Sequence, residues 1–441
     1  MRIYVGFYGM LAAATLLSMG LFRSYMHRRE LPLFLAALVS AIGLLMWRWS
    51  DPPIPFLDFT QAYYPAGRAI LEDVSRVYAR ISACEATAVC GFVNIPIVAL
   101  LFSPFSVLSL HSAHLLFALL SLIGVMATVY MLWFISDASF PRKYVIVFLF
   151  VVNGPLFYSL KEGNLTHFVL LLLVAGVLCL ARGRDSWAGF FFAMAAIIKL
   201  PLFLFAGYFV AGRRWSVLRG YGATVIGVCS VSLLYAGWTS HIEWYREAVL
   251  PFADKGLSAF NVQSIDGFLL RLGEDARLYD WKPSEVGVEF RLLRHFVAAA
   301  LLGMSWLIFM KRPNRNDMQA VSVELSMVLC VALMISPVSW THYYLLLLLP
   351  LSLYAGQNLA IPSRGGWLAM FTVCVLLISP PVTFVTPSGW FSAQVVNKFL
   401  ISHYLGGAML LWLLLGYARL QTSKVRDRRS VWVPATEGKA A

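Results

Sequence analysis

The chain has 441 residues, of which 60% are hydrophobic, 15% aromatic and only 13% charged. A soluble domain carries about a quarter charged residues, so this composition excludes an ordinary water-soluble fold and points to a polytopic, all-α membrane protein; the apolar residues come in blocks, without the alternation of a β-barrel. The formal net charge of +13 does not mark a nucleic-acid binder, because the Lys and Arg lie in short loops and in the run KVRDRR, where cytoplasmic positive charge is expected.

In chain order, apolar blocks cover 3–22, 31–49, 92–109, 112–135, 143–160, 164–181, 187–211, 217–239, 291–310, 321–338, 340–357, 366–381 and 395–417. Most are long enough to cross a hydrocarbon core of roughly 30 Å, which predicts about 12 to 13 transmembrane helices. The first block lacks a small-residue cleavage site and runs into RSYMHRRE, the pattern of a retained anchor. Basic loops at 23–29, 212–219 and 311–315, with the tail, assign the cytoplasm. Residues 50–91, 240–290, SPVSWTH and PPVTFVTPSGW then face the opposite, extracytoplasmic side. Placing 142–143 and 182–184 in the cytoplasm as well requires one block not to cross. The middle of 187–211, IIKLP, predicts two half-helices broken at Lys199 and Pro201, since Pro removes a backbone donor and Lys is costly in lipid. Block 92–109, with Pro96 and Pro104, is then a shallow or re-entrant element. The loop 240–290 interleaves Trp, Tyr and Phe with charges, as in amphipathic helices lying in the interface. Residues 1–417 read as one integral-membrane unit and 418–441 as a disordered basic tail on the cytoplasmic side. Cys179, Cys229, Cys330 and Cys374 fall in apolar blocks as small core residues. Cys84 and Cys90 share the outer loop of Asp58 and are candidates for a disulfide.

No P-loop, Rossmann glycine pattern, HExxH or Cys/His zinc spacing occurs in the sequence. What remains is a set of polar residues at the outer ends of helices: Asp58, Lys161 with Glu162 and Asn164, Lys199, Asn261 with Ser264, Arg271 and His342. Asp58 stands among Leu57, Phe59, Tyr63 and Tyr64, where partial desolvation suits a carboxylate to take a proton from a hydroxyl. It equally suits a helix N-cap for FTQAYYPAGRAILE. His342, beside Trp340, Tyr343 and Tyr344, is either a phosphate donor or a member of an interfacial aromatic belt. Lys199 lies between AAII and LPLFLF and must find water, a carboxylate or a phosphate. Arg68 and Arg271 are phosphate clamps or solvated anchors.

The stretch DFTQAYYPAGRAILEDVSRVY resembles the signature that opens glycosyltransferase family 87, polytopic enzymes of the C-type superfamily that use polyprenyl-phosphate sugars. FVNIPIVALLFSPFSVL, EGNLTHFVLLLL, WAGFFFAMAAIIKLPLFLF, NVQSIDGFLLRL and SPVSWTHYYLLLLLPL follow in the family's order, so the resemblance covers about residues 55–355. Two features depart from it: Asn94 and Ile95 precede a single Pro96 where Tyr-Pro-Pro is usual, and the Cys84/Cys90 pair is foreign to the pattern.

The resemblance implies an inverting transferase with the C-type fold in the cell membrane, acting on its extracytoplasmic face. It moves a hexose, most simply mannose, from a polyprenyl-phosphate donor to a glycolipid or glycan, with no cofactor and no metal. Asp58 is the implied base, Lys199, Arg68 and Arg271 supply positive charge to the leaving phosphate, and His342 adds a donor. Tyr63 and Tyr64 are walls near the acceptor, and Asn164, Asn261, Ser264 and Trp340 are further substrate contacts. A polyprenyl-phosphate arabinofuranose donor is compatible with the same residues. A lipid-linked sugar flippase is the alternative of another class, but it calls for internal repeats that the sequence lacks.

Overall fold

A computed structural model describes residues 56–78, 89–273, 277–310, 317–380 and 399–430. The blocks at 3–22 and 31–49, Cys84, most of PPVTFVTPSGW and the basic loop 311–315 lie outside the described residues. In chain order the helices are α1 Tyr64–Glu72, α2 Pro96–Ser106, α3 Leu110–Ile135, α4 Phe140–Val151, α5 Gly154–Glu162, α6 Thr166–Ala181, α7 Asp185–Ile198 and α8 Leu204–Ala211. They continue with α9 Trp215–Trp244, α10 Leu250–Asp254, α11 Ile265–Leu272, α12 Val288–Met310, α13 Met318–Ile335, α14 Leu348–Ala355, α15 Gly365–Ile378 and α16 His403–Ser430. Among the described residues there is no extended strand, only isolated bridges at Gly256–Ser284 and Val262–Trp340.

The fold is therefore all-helical and polytopic, but its helices are more broken than their apolar blocks. Among the described residues, five segments are long and apolar enough to cross a membrane: Leu110–Ile135, Trp215–Asp254, Val288–Met310, Met318–Ile335 and Leu400–Gln421. α4 and α5 make a sixth candidate, bent by 48°, where Asn153 leaves the helix and caps the next by accepting from the Leu156 N–H at 2.8 Å. Block 92–109 supplies only the eleven-residue α2, with Pro104 inside it. At that length it rises about 16 Å, too little to cross. Block 187–211 breaks at Lys199, whose backbone is extended between α7 and a 3-10 turn, Leu200–Phe203. The loop expected at 240–290 starts later than its composition suggests, since helix continues from α9 through a π turn into α10 and ends at Asp254. α16 runs on to Ser430, so the basic run taken from sequence as a disordered tail begins as helix.

α13 is the central pillar: 83% of its apolar window is covered by other helices, against 17% for α9 and α12, which line the periphery. Burial all round explains why α13 carries a charge only with partners. Glu324 accepts from Arg419 Nε of α16 and from the Tyr208 hydroxyl of α8, both at 2.8 Å.

α7 and α9 approach closely because both carry glycine at the crossing, the small-residue contact that membrane helices favour. A Cβ added at Gly220 would overlap the Ser186 carbonyl, and one at Gly189 the Val217 carbonyl. Gly222, on the same helix, has open space around it. Gly220→Ala should therefore lower stability by about 1–3 kcal/mol, read as an earlier thermal transition of the detergent-purified protein, while Gly222→Ala leaves the transition in place or raises it.

Candidate functional site

The backbone that presents Asp58 is unusual at each step. Phe56 has a positive φ of 52°, Asp58 is already helical, and a π turn, Phe59–Tyr63, leads into α1. Asp58 caps nothing through its side chain, which corrects the N-cap reading. Its Oδ2 instead accepts from Asn164 Nδ2 at 2.7 Å. Asn164 is fixed from its other end, where Oδ1 accepts from the Thr166 backbone N–H at 3.0 Å and from the Thr166 hydroxyl at 2.6 Å.

Gly163 makes this meeting possible. It closes α5 in the left-handed conformation, φ 68°, which a residue with a side chain adopts at a cost. A Cβ there would stand 2.7 Å from the Phe59 Cβ and 3.0 Å from the Phe56 Cβ. Phe59 is fully buried and packs on Phe102, Phe105, Phe117 and His114, so the apolar residue beside Asp58 anchors the polar one.

Lys199 enters from the break between α7 and the 3-10 turn. It is buried, its Nζ lies 4.0 Å from the centre of the Tyr343 ring, and its charge is felt by Asp58. Among the described residues its ammonium has no carboxylate within ion-pair distance. The carbonyl of Ile198, left without its helical donor by the break, accepts from Asn94 Nδ2 at 2.9 Å. The Asn at the position where Tyr-Pro-Pro is usual thus braces the residue before Lys199. His342 and Tyr343 come in on a 3-10 turn, Thr341–Leu347. His342 Nε2 is buried without a hydrogen-bond partner, and so is Nε2 of His167, whose Nδ1 meets the Ser159 hydroxyl at 3.0 Å.

The structure thus brings Asp58, Tyr63, Asn164, Lys199 and His342 into one cluster. Tyr63 is buried and stacks on Phe102 at 4.7 Å. Tyr64 turns away, its hydroxyl donating to the Leu108 carbonyl at 2.8 Å. Arg68 lies exposed on α1, paired with Glu72 at 2.6 Å. Arg271 is fully buried, with its guanidinium donating to Ser402 Oγ and the Ala259 carbonyl at 2.9 and 3.0 Å. Ser264 caps α11 and donates to the Pro337 carbonyl at 3.1 Å. Asn261 accepts from the indole of Trp281 at 2.9 Å, and its carbonyl takes the Thr341 N–H. Trp340 bridges to Val262. These last contacts knit the loop after α10 to the turn that carries His342. The sequence reading passed over Asn94, Thr166, His167 and Tyr343; of these, only the departure at Asn94 was visible beforehand. Among the described residues no His/Cys/Asp/Glu group could hold a metal. Cys90 is disulfide-bonded, Cys179, Cys229, Cys330 and Cys374 are free, and the suggested partner Cys84 lies outside the described residues.

Burial raises the Asp58 carboxyl to about 6; Asn164 and Lys199 work against the rise, and Glu162 adds to it. A carboxyl held above its unfolded value favours folding only when protonated, and that contribution is lost as pH rises through about 6. Ionised Asp58 therefore weakens the fold at neutral pH. Asp58→Asn, whose amide oxygen can still accept from Asn164, should melt later than wild type at pH 8, with the advantage shrinking as the pH falls through about 6; equal melting at both pH values would show that the site imposes no such strain.

A family model described as glycosyltransferase family 87 matches residues 92–337, just over half of the chain; Asp58 precedes the matched stretch. Two curated proteins of Mycolicibacterium smegmatis are similar. One is a polyprenol-phosphate-mannose-dependent alpha-(1-2)-phosphatidylinositol mannoside mannosyltransferase, 25% identical over 435 residues, which covers 91% of this chain and 94% of the relative. The other is a polyprenol-phosphate-mannose-dependent alpha-(1-2)-phosphatidylinositol pentamannoside mannosyltransferase, 25% identical over 311 residues, 66% of this chain and 69% of the relative.

Proposed function

The chain belongs to glycosyltransferase family 87, and from that premise we propose that it transfers mannose from a polyprenyl-phosphate donor to a glycolipid of the phosphatidylinositol mannoside kind. Asp58 is the base, and the reaction takes place on the extracytoplasmic face of the cell membrane. The observation that carries this reading is the meeting of a partly buried carboxylate, tied by one oxygen to Asn164, with a buried ammonium that pairs with no carboxylate among the described residues.

The chemistry is a single displacement. The acceptor hydroxyl gives its proton to Asp58 as its oxygen bonds to C1 of the sugar. The bond from C1 to the phosphate oxygen breaks, and its electron pair leaves with the phosphate. Attack opposite the leaving group inverts the anomeric centre, and a stable phosphate anion needs no strong general acid. Charge growing on the phosphate is met by Lys199, held over Tyr343 where water is scarce and an ammonium interacts strongly. His342 offers a further hydrogen-bonding atom from the same turn. Arg68 and Arg271 are spent on Glu72 and on Ser402 with Ala259, which leaves the phosphate to Lys199.

The test is transfer by purified protein in lipid vesicles supplied with polyprenyl-phosphate mannose and phosphatidylinositol mannosides. Asp58→Asn should lower kcat by about 100- to 10,000-fold, and wild-type kcat/KM should fall as the pH drops through about 6. Lys199→Met should cost about 100-fold or more. Undiminished transfer by Asp58→Asn would remove the role given to that residue; transfer of arabinofuranose in place of mannose would change the donor and leave the geometry standing.

A further inference from the structure

Asn164 reads from sequence as a substrate contact, but its surroundings argue for another task. It is buried, with 4% of its surface exposed, and its oxygen and one of its N–H donors are committed. An amide carries two donors and one acceptor oxygen, and here Oδ1 is claimed twice by Thr166, at 3.0 Å from the backbone N–H and 2.6 Å from the hydroxyl. The amide cannot turn over without placing its NH2 against the Thr166 backbone N–H, which can only donate, so Nδ2 is held toward Asp58 Oδ2 at 2.7 Å. Thr166 is itself fully buried at the first position of α6, which ties the orientation of the carboxylate to the start of a helix packed in the core.

We propose that Asn164 is a positioning residue for Asp58, locked by Thr166. It pins one carboxylate oxygen and keeps the other open to the acceptor hydroxyl. This rests on Asp58 being the base. The same geometry also serves a purely local role, since acceptance from the Thr166 N–H closes a turn at the head of α6, so the test must separate the two. Asn164→Asp does so: its carboxylate oxygens still accept from both Thr166 donors and keep the turn, but it has no N–H for Asp58 and sets a like charge beside it.

The charged and titratable groups around Asp58 are Glu162 from α5, Lys199 from the break after α7, Tyr63 from its own turn and Tyr343 from the 3-10 turn, with Glu162 paired to Lys161 at 3.1 Å. None of them changes in the variant. Losing the donor and gaining a like charge both favour protonated Asp58. The acid limb of kcat/KM should therefore move upward by about one pH unit or more, with kcat at pH 7 down about 10- to 100-fold and KM for polyprenyl-phosphate mannose little changed. Thr166→Val, which keeps the backbone donor and the volume, should move the limb the same way by less, and it carries the test if Asn164→Asp aggregates in detergent.

A wild-type acid limb in either folded variant overturns the proposal. So does a rise in KM alone, which would return Asn164 to the substrate. Failure of the underlying reading looks different: full activity in Asp58→Asn dismisses the base, whereas an inactive Asp58→Asn beside an Asn164→Asp with unmoved pH dependence dismisses only the positioning role.

Discussion

The hydrogen bond from Asn164 to Asp58 joins side chains 106 residues apart, and the rest of the site is arranged around it. A carboxylate at a membrane boundary is stable only if water or a donor reaches it. Here one oxygen has a donor that cannot rotate away, and the other is left without a fixed partner. Burial raises the proton affinity of the carboxyl, and the Asn164 bond limits the rise. The balance leaves an ionised group at neutral pH that still takes a proton readily, the condition a general base must meet.

Elsewhere in the bundle the same constraint is met by pairing. Glu324 is held by Arg419 and Tyr208, and Asp266 of α11 takes Arg294 of α12 at 3.2 Å, with both side chains almost wholly covered. Such pairs gain little net stability, but losing one partner strands the other, so they fix which helices lie together. Lys199, His342 and His167 differ. Among the described residues Lys199 has only an aromatic face and a share in the field of Asp58, and both imidazoles keep a buried nitrogen without a hydrogen-bond partner there. Buried polar groups in native proteins nearly always find partners, so a cluster of incomplete ones next to a strained carboxylate supports the proposed phosphate and sugar contacts.

Composition and periodicity made the class legible, because blocks of apolar residues leave few alternatives to a helical membrane bundle. They also located the break at Lys199 and the short helix within block 92–109, since Pro and Lys act locally on backbone and solvation. Side-chain partnership was not legible. Asp58 fits the preferences for a cap, and only the approach of Gly163 to Phe59 and Phe56 reveals that its carboxylate faces Asn164. Arg271 and Ser264 have residue types that suit a phosphate or a hydroxyl, yet their hydrogen bonds run to Ser402, Ala259 and Pro337, partners up to 131 residues distant. The basic run after residue 418 has the composition of a tail, but α16 carries it as helix to Ser430.

The backbone gives an independent reason to place the chemistry here. Irregular backbone at membrane depth survives only where protein or a water-filled cavity satisfies it, and the irregular pieces converge on one place. They are the π turn after Asp58, the left-handed Gly163, the extended Lys199 with its 3-10 turn, and the 3-10 turn of His342. Each carries or adjoins a polar residue of the cluster. The Asn94 bond to the Ile198 carbonyl illustrates the dependence: a break that aims Lys199 at the site leaves a carbonyl behind, and a neighbouring segment must supply the donor. Neither Tyr nor Pro carries an amide side chain, so a Tyr-Pro-Pro segment could not make this bond.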